Sequence, residues 1–272
     1  MKNAILKNPE VKKLIFEVAE LAEYLWQKGW AERNAGNISV NINHLIPKDL
    51  DDLENYPLFP LSETYPELAG SYFFVTGTGK RMRDLAKNPL KNAALIRISE
   101  RGNQYHIISQ NEKNTASFRP TSELPSHLAI HQLMAQRKSP YKVIIHTHPN
   151  ELVALSQSPI YKQEDTLNKI LWGMHPETYI VVPKGVGVVP YHTPGTEEIA
   201  KATLEKLDKH DVVLWEKHGV FAVGENVFDT FDMIDTLSKS AQIFFICKNA
   251  GYEPEGLTDE QLLDLKNQFH IQ

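Results

Sequence analysis

The sequence predicts an α/β or α+β sandwich of layers, built as one domain over residues 1–272. Short apolar runs rich in β-branched residues alternate with segments of helical period from end to end. No internal repeat or low-complexity tract interrupts them, and 272 residues with 42% hydrophobic and 23% charged content suffice for one substantial core.

Taken in order, Asn8-Pro9 reads as an N-cap followed by proline at the first helical position. Val11, Leu14, Ile15, Val18, Leu21, Ala22 and Leu25 then recur at helical spacing, and Gly29 suits the stop. GNISVNI is a strand, whereas residues 43–70, rich in Pro, Asp and Leu without clean periodicity, read as a long surface excursion. SYFFVTGTGK is a strand running into a glycine-rich turn, and ALIRIS and QYHIIS are a strand pair joined by ERGN. PTSELPSHLAIHQLMAQ opens a helix, with Thr121 or Ser122 as cap and Glu123 in its first turn. YKVIIHTH is a strand broken by Pro149, and NELVALSQS is a short helix. TYIVVP and VGVVPY read as strands, GTEEIAKATLEKLDKH as a helix, DVVLWEKHGVFAVG as strand–turn–strand and 225–249 as a long helix. Thr258 with Gln261 makes a capping box for the last helix.

The bulk properties exclude several function classes. A net charge of −5 argues against a dedicated nucleic-acid partner. No window approaches the ~18 uninterrupted apolar residues of a membrane span, and the N-terminus lacks an apolar leader, so a cytoplasmic protein is expected. The single cysteine, Cys247, rules out an internal disulfide and a cysteine-rich zinc site; its helical apolar surroundings predict a buried structural thiol.

In VIIHTHPN, strand alternation points His146 and His148 to one face and Thr147 to the other. Imidazoles about 7 Å apart along one face are able to converge on a cation, at about 2.0–2.1 Å if it is zinc. On the pair alone, two polar residues closing a strand is the better reading. His218, in a tight turn beside Gly219, adds the third histidine that an open catalytic zinc site requires. His127 and His131 share a helical face, but HLAIH lacks the glutamate of a metalloprotease helix, and both read as packing or surface residues.

VTGTGK fails as a phosphate loop at Phe74 and Arg81, and as a dinucleotide fingerprint at Met82. What survives is a Gly77-Thr78-Gly79 turn able to offer backbone N–H groups and a hydroxyl to an anion. ERNAGNIS offers the Asn34 and Asn37 amides around Gly36, and PTSE offers the Thr121 and Ser122 hydroxyls at a helix N-terminus. Glu123 is then either a first-turn carboxylate supporting the helix dipole or a general base beside a metal.

In this order RNAGNIS, VTGTGK, PTSELPSH, IIHTHPN and EKHGVF, from Arg33 onward, resemble the class II aldolase/adducin-head family, the zinc sugar-phosphate aldolases. The resemblance implies an α/β sandwich around a mainly antiparallel sheet, assembled as a cytoplasmic homotetramer with sites near subunit interfaces. It implies one Zn2+ per subunit, held by His146, His148 and His218, with Glu123 as the proton-transferring carboxylate. Asn34, Asn37, Thr78, Thr121 and Ser122 would line a phosphate pocket, with Gly36, Gly77 and Gly79 supplying backbone. Glu177 matches a second carboxylate that reaches the site from a neighbouring subunit. The implied reaction is reversible retro-aldol cleavage of a ketose 1-phosphate to dihydroxyacetone phosphate and an aldehyde. Zinc serves there as the Lewis acid and no Schiff-base lysine is needed; Lys80 and Lys217 read as surface or rim charges. The competing readings are an aldolase, 4-epimerase or dehydratase for another sugar phosphate, a non-catalytic adducin-head-like binding module, and a zinc hydrolase on an unrelated fold.

Overall fold

The apolar runs lie side by side in one sheet. A computed structural model describes residues 4–46, 56–108 and 118–271. In chain order its strands are β1 Asn37–Asn41, β2 Leu58–Pro60, β3 Tyr72–Thr76, β4 Ala93–Ile98, β5 Gln104–Ile108, β6 Val143–Thr147, β7 Val186–Val189, β8 Val212–Trp215 and β9 Gly219–Gly224. They pair in the order β2-β5-β4-β3-β1-β6-β9-β8-β7. Every pair is antiparallel except β7 with β8, so the sheet is mixed but mainly antiparallel.

Strand alternation divides the core between the two faces. Ile38 and Val40 of β1, Val143 and Ile145 of β6, and Val220 and Ala222 of β9 pack on one face, against helices Pro9–Gln27 and Val227–Asn249. Helix Pro9–Gln27 forms as its sequence dictates: the Asn8 side chain accepts from Glu10 N–H at 2.9 Å, Pro9 follows at the first helical position, and Val11, Ile15, Val18, Leu21, Ala22 and Leu25 are buried. On the opposite face Ile144, Val213, Phe221 and Val223 meet Ile130 and Met134 of helix Leu124–Gln136. Phe73 and Val75 of β3 meet Leu124 and Leu128 of the same helix. Ser39 and His146 share the parity of this second face, which places two polar side chains beneath one helix.

The structure corrects several expectations. TYIVVP is not a strand: Pro176–Val181 is a short helix, whose Thr178 bonds Ser240 Oγ at 2.6 Å. Part of 43–70 is more than a surface excursion, because Leu58–Pro60 adds an edge strand and Tyr65 and Leu68 are buried in the core under β3–β5; residues 47–55 of that stretch lie outside the described residues. Glu123, not Thr121 or Ser122, occupies the N-cap of helix Leu124–Gln136, without a side-chain cap. Cys247 is half-buried rather than buried. The helix Glu164–Met174 forms in a stretch that the sequence reading left unassigned. The capping box at Thr258 and Gln261 is present. Among the described residues no helix is long and apolar enough to cross a membrane.

Candidate active site

The register of the central strands assembles the site. Asn37 of β1 lies opposite His146 of β6, which lies opposite Phe221 of β9. His146 is almost fully buried, its ring stacked on Phe221 at a centroid distance of 4.4 Å. Thr147 points to the other face, as alternation requires, and its hydroxyl donates to the Trp30 carbonyl at 2.8 Å. The same carbonyl accepts from His148 N–H at 2.9 Å, so the segment leading into Asn34–Asn37 clamps the end of β6.

The ligand nitrogens of His146, His148 and His218 lie within 4.8 Å of one another. His146 Nδ1–H donates to the Val220 carbonyl at 2.9 Å, which leaves the Nε2 lone pair facing the cluster. His148 Nδ1 is 3.1 Å from Glu32 Oε1, the carboxylate–histidine pairing that orients a metal ligand. The two Nε2 atoms are 3.3 Å apart. Ligands at the zinc–nitrogen distance and a tetrahedral angle are also separated by about 3.3 Å. His218 Nδ1 is buried without a hydrogen-bond partner among the described residues, an arrangement that costs about 1–3 kcal/mol unless a ligand takes it. Burial, followed by the neighbouring rings, holds His146 well below the ordinary imidazole range, and burial lowers His218 too. Both are thus neutral and able to ligate, and the three residues together are able to hold a metal ion.

Gly219 lets His218 reach the cluster. A Cβ there would stand 2.5 Å from the Thr147 carbonyl oxygen and 2.6 Å from His148 Cδ2. The turn is further fixed by Lys217, whose N–H donates to the buried Ser156 hydroxyl at 2.8 Å. Glu123 Oε2 sits 3.5 Å from His146 Nε2 and accepts from Asn37 Nδ2 at 2.8 Å.

A cleft of about 340 Å³ gathers these groups with Asn34, Gly36, Gly77, Thr78, Gly79, Thr121 and Ser122. Within it, some of the expected anion donors are already engaged. Gly77 N–H donates to Asn92 O at 2.8 Å, and Thr78 N–H to Arg119 O at 3.0 Å. Among the described residues the Thr78 and Ser122 hydroxyls and the Asn34 amide have no hydrogen-bond partner and line the cleft. Sequence reasoning missed Glu32 and Arg33, which also line the cleft; they flank the Asn34 loop with no spacing that marks them. Glu177 is not brought in: its side chain is 61% exposed and pairs with His175 Nδ1 at 3.1 Å, in a separate groove. Lys80 and Lys217 are exposed and outside the cleft lining.

The family model of the class II aldolase and adducin N-terminal domain matches residues 16–245. The chain belongs to that family. A rhamnulose-1-phosphate aldolase of Bacteroides thetaiotaomicron is 44% identical, over 100% of this chain and 99% of that one. The Yersinia pseudotuberculosis enzyme of the same name is 37% identical over 91% and 90%. The crystal structure of a sugar-phosphate aldolase from Thermotoga maritima matches with a TM-score of 0.76 and 33% identity, covering 91% of this chain and 100% of that one. The class II aldolase family is metal-dependent, and among the described residues the histidine triad is the group able to hold a metal ion.

Proposed function

We propose that the chain cleaves L-rhamnulose 1-phosphate reversibly to dihydroxyacetone phosphate and L-lactaldehyde, a step of L-rhamnose degradation in the cytoplasm. The observation that carries this reading is the convergence of three histidines, one carboxylate and hydroxyl- and amide-bearing loops in one cleft. The identity to curated rhamnulose-1-phosphate aldolases along the whole chain supports the choice of sugar.

His146, His148 and His218 would hold one zinc ion, which when bound supplies Lewis-acid polarisation of the ketose carbonyl and the adjacent hydroxyl. Glu123 returns a proton to C3 of the departing dihydroxyacetone phosphate in cleavage and removes it in condensation. Asn34, Thr78, Thr121 and Ser122, with the backbone of Gly36 and Gly79, bind the phosphate, remote from the reacting carbons, so its binding energy serves to position them, while Gly77, whose N–H is taken by the Asn92 carbonyl, shapes the turn. Asn37 has both arms of its amide engaged, so its part is chiefly to shape that wall. Glu177 handles the proton on the aldehyde-side hydroxyl from a neighbouring subunit of a homotetramer, a reading supported by its exposure and by its place in a groove other than its own chain's cleft.

The test is a coupled dihydroxyacetone phosphate assay on L-rhamnulose 1-phosphate beside other ketose 1-phosphates, with and without a chelator. Chelator-sensitive turnover with preference for L-rhamnulose 1-phosphate is the expected result. Faster cleavage of a different ketose 1-phosphate would displace this substrate, and undiminished turnover in chelator would remove the metal.

A further inference from the structure

Behind Glu123 runs a chain of buried hydrogen bonds that the reaction as described leaves unexplained. Glu123 Oε2 accepts from Asn37 Nδ2 at 2.8 Å, and Asn37 Oδ1 contacts His127 Nε2. His127 Nδ1 is 2.7 Å from Ser39 Oγ, which is 2.8 Å from His131 Nε2. Asn37, Ser39, His127 and His131 are all buried, His127 completely.

Hydrogen-bond polarity fixes every proton in this chain. The Asn37 NH2 group donates to the Glu123 carboxylate, which turns Oδ1 away from it. Oδ1 only accepts, so His127 carries its proton on Nε2. Burial holds the His127 ring down to about 3, hence neutral, and its Nδ1 is then an acceptor. Ser39 donates to that nitrogen and keeps lone pairs for the N–H of His131 Nε2. All donors point toward Glu123, and reversing any one of them sets acceptor against acceptor or donor against donor. The other carboxylate oxygen, Oε1, has no hydrogen-bond partner among the described residues, and Glu123 lines the cleft.

We propose that His127 and His131, joined through Ser39, are positioning residues that lock the Asn37 amide in one orientation and thereby hold the Glu123 carboxylate at the angle needed for proton transfer to carbon. The inference deepens the functional reading above and rests on it for the role of Glu123. It is distinct from a packing role. An apolar helix face would cover β1 as well, whereas two histidines aligned on one serine act on the direction of a hydrogen bond. Carbon protonation tolerates little misplacement of the transferring group, so a loosened network lowers turnover and leaves substrate affinity.

The test pairs Ser39→Ala, which cuts the chain at its middle, with Ser39→Thr, which keeps the hydroxyl. In the metal-loaded protein Ser39→Ala is expected to lower kcat about tenfold or more, with KM held within a factor of about three and metal content unchanged. Ser39→Thr restores most of the loss. Nitrogen-15 NMR of histidine-labelled wild-type protein gives a readout independent of turnover, in which His127 and His131 appear as neutral rings protonated on Nε2. A wild-type kcat in Ser39→Ala, a loss that merely follows lost metal, or a His127 ring protonated on Nδ1 or charged, would each overturn the proposal. If the wild-type protein cleaves no sugar phosphate, the functional reading falls, and the tautomer measurement still decides the network.

Discussion

Asn37 and Glu123, 86 positions apart, meet through a 2.8 Å bond from Nδ2 to Oε2, which ties the first strand of the sheet to the N-terminus of helix Leu124–Gln136. The bond joins the loop expected to bind phosphate to the carboxylate expected to move a proton.

Replacing Glu123 by Ala removes that carboxylate and the acceptor of the Asn37 bond, but no helix cap, since its side chain caps no backbone N–H. The variant is expected to keep its fold and metal and to lose about 10²–10⁴ in kcat. Steady-state kinetics beside metal analysis check this, and full activity would take Glu123 out of the mechanism.

His146 is the most deeply buried of the triad and makes ring contact with both His148 and His218. His146→Ala leaves two ligands that by themselves close no site, so bound metal is expected to fall well below one per subunit. Elemental analysis after dialysis measures it, and a stoichiometric content would refute the ligand role.

Gly219→Ala tests the approach of the last turn. The added methyl meets backbone oxygen at 2.5 Å and the His148 ring at 2.6 Å, and the oxygen belongs to a paired strand that cannot swing aside. The turn must retreat and take His218 with it. Metal affinity is expected to drop about tenfold or more, with thermal stability also lowered. Titration with zinc and a melting curve measure the two effects, and an unchanged affinity would mean that the turn yields without moving His218.

The parts of this site legible in the sequence were those written locally. Alternation alone placed His146 and His148 on one face, and the strand that leads into them declared itself because it is apolar on both sides. The failures come from partners distant in sequence. His127 and His131 resemble ordinary helix-face residues until Ser39, 88 positions from the nearer, appears beneath them. TYIVVP has the β-branched composition of a strand, yet its first four residues complete the helix Pro176–Val181, which buries Thr178 against Ser240. Tyr65 and Leu68 looked like surface loop because nothing near them shows the core under β3–β5 that they close.

The two buried imidazoles also predict how stability responds to pH. Burial, with the His146 ring second, sets His127 down to about 3, and burial, with the His127 ring second, sets His131 well below its ordinary value. In the unfolded chain both return to about 6.5. Below about pH 6.5 unfolding therefore takes up protons that the folded state refuses, so stability falls with pH from there toward about 3, where folded His127 itself titrates. Above about pH 6.5 these rings are neutral in both states and contribute no slope. His146 and His218, also lowered by burial, add to the same slope once metal is stripped, so a variant at His131 is needed to assign a share to the network. Chelator-treated protein, in which no bound metal competes with protons, is expected to show a lower urea midpoint at about pH 5.5 than at about 7.5. His131→Leu deletes one titrating ring and should shrink that difference. A midpoint that stays level or rises on acidification would mean that the rings are charged in the folded protein, and the single polarity of the chain behind Glu123 would fall with it.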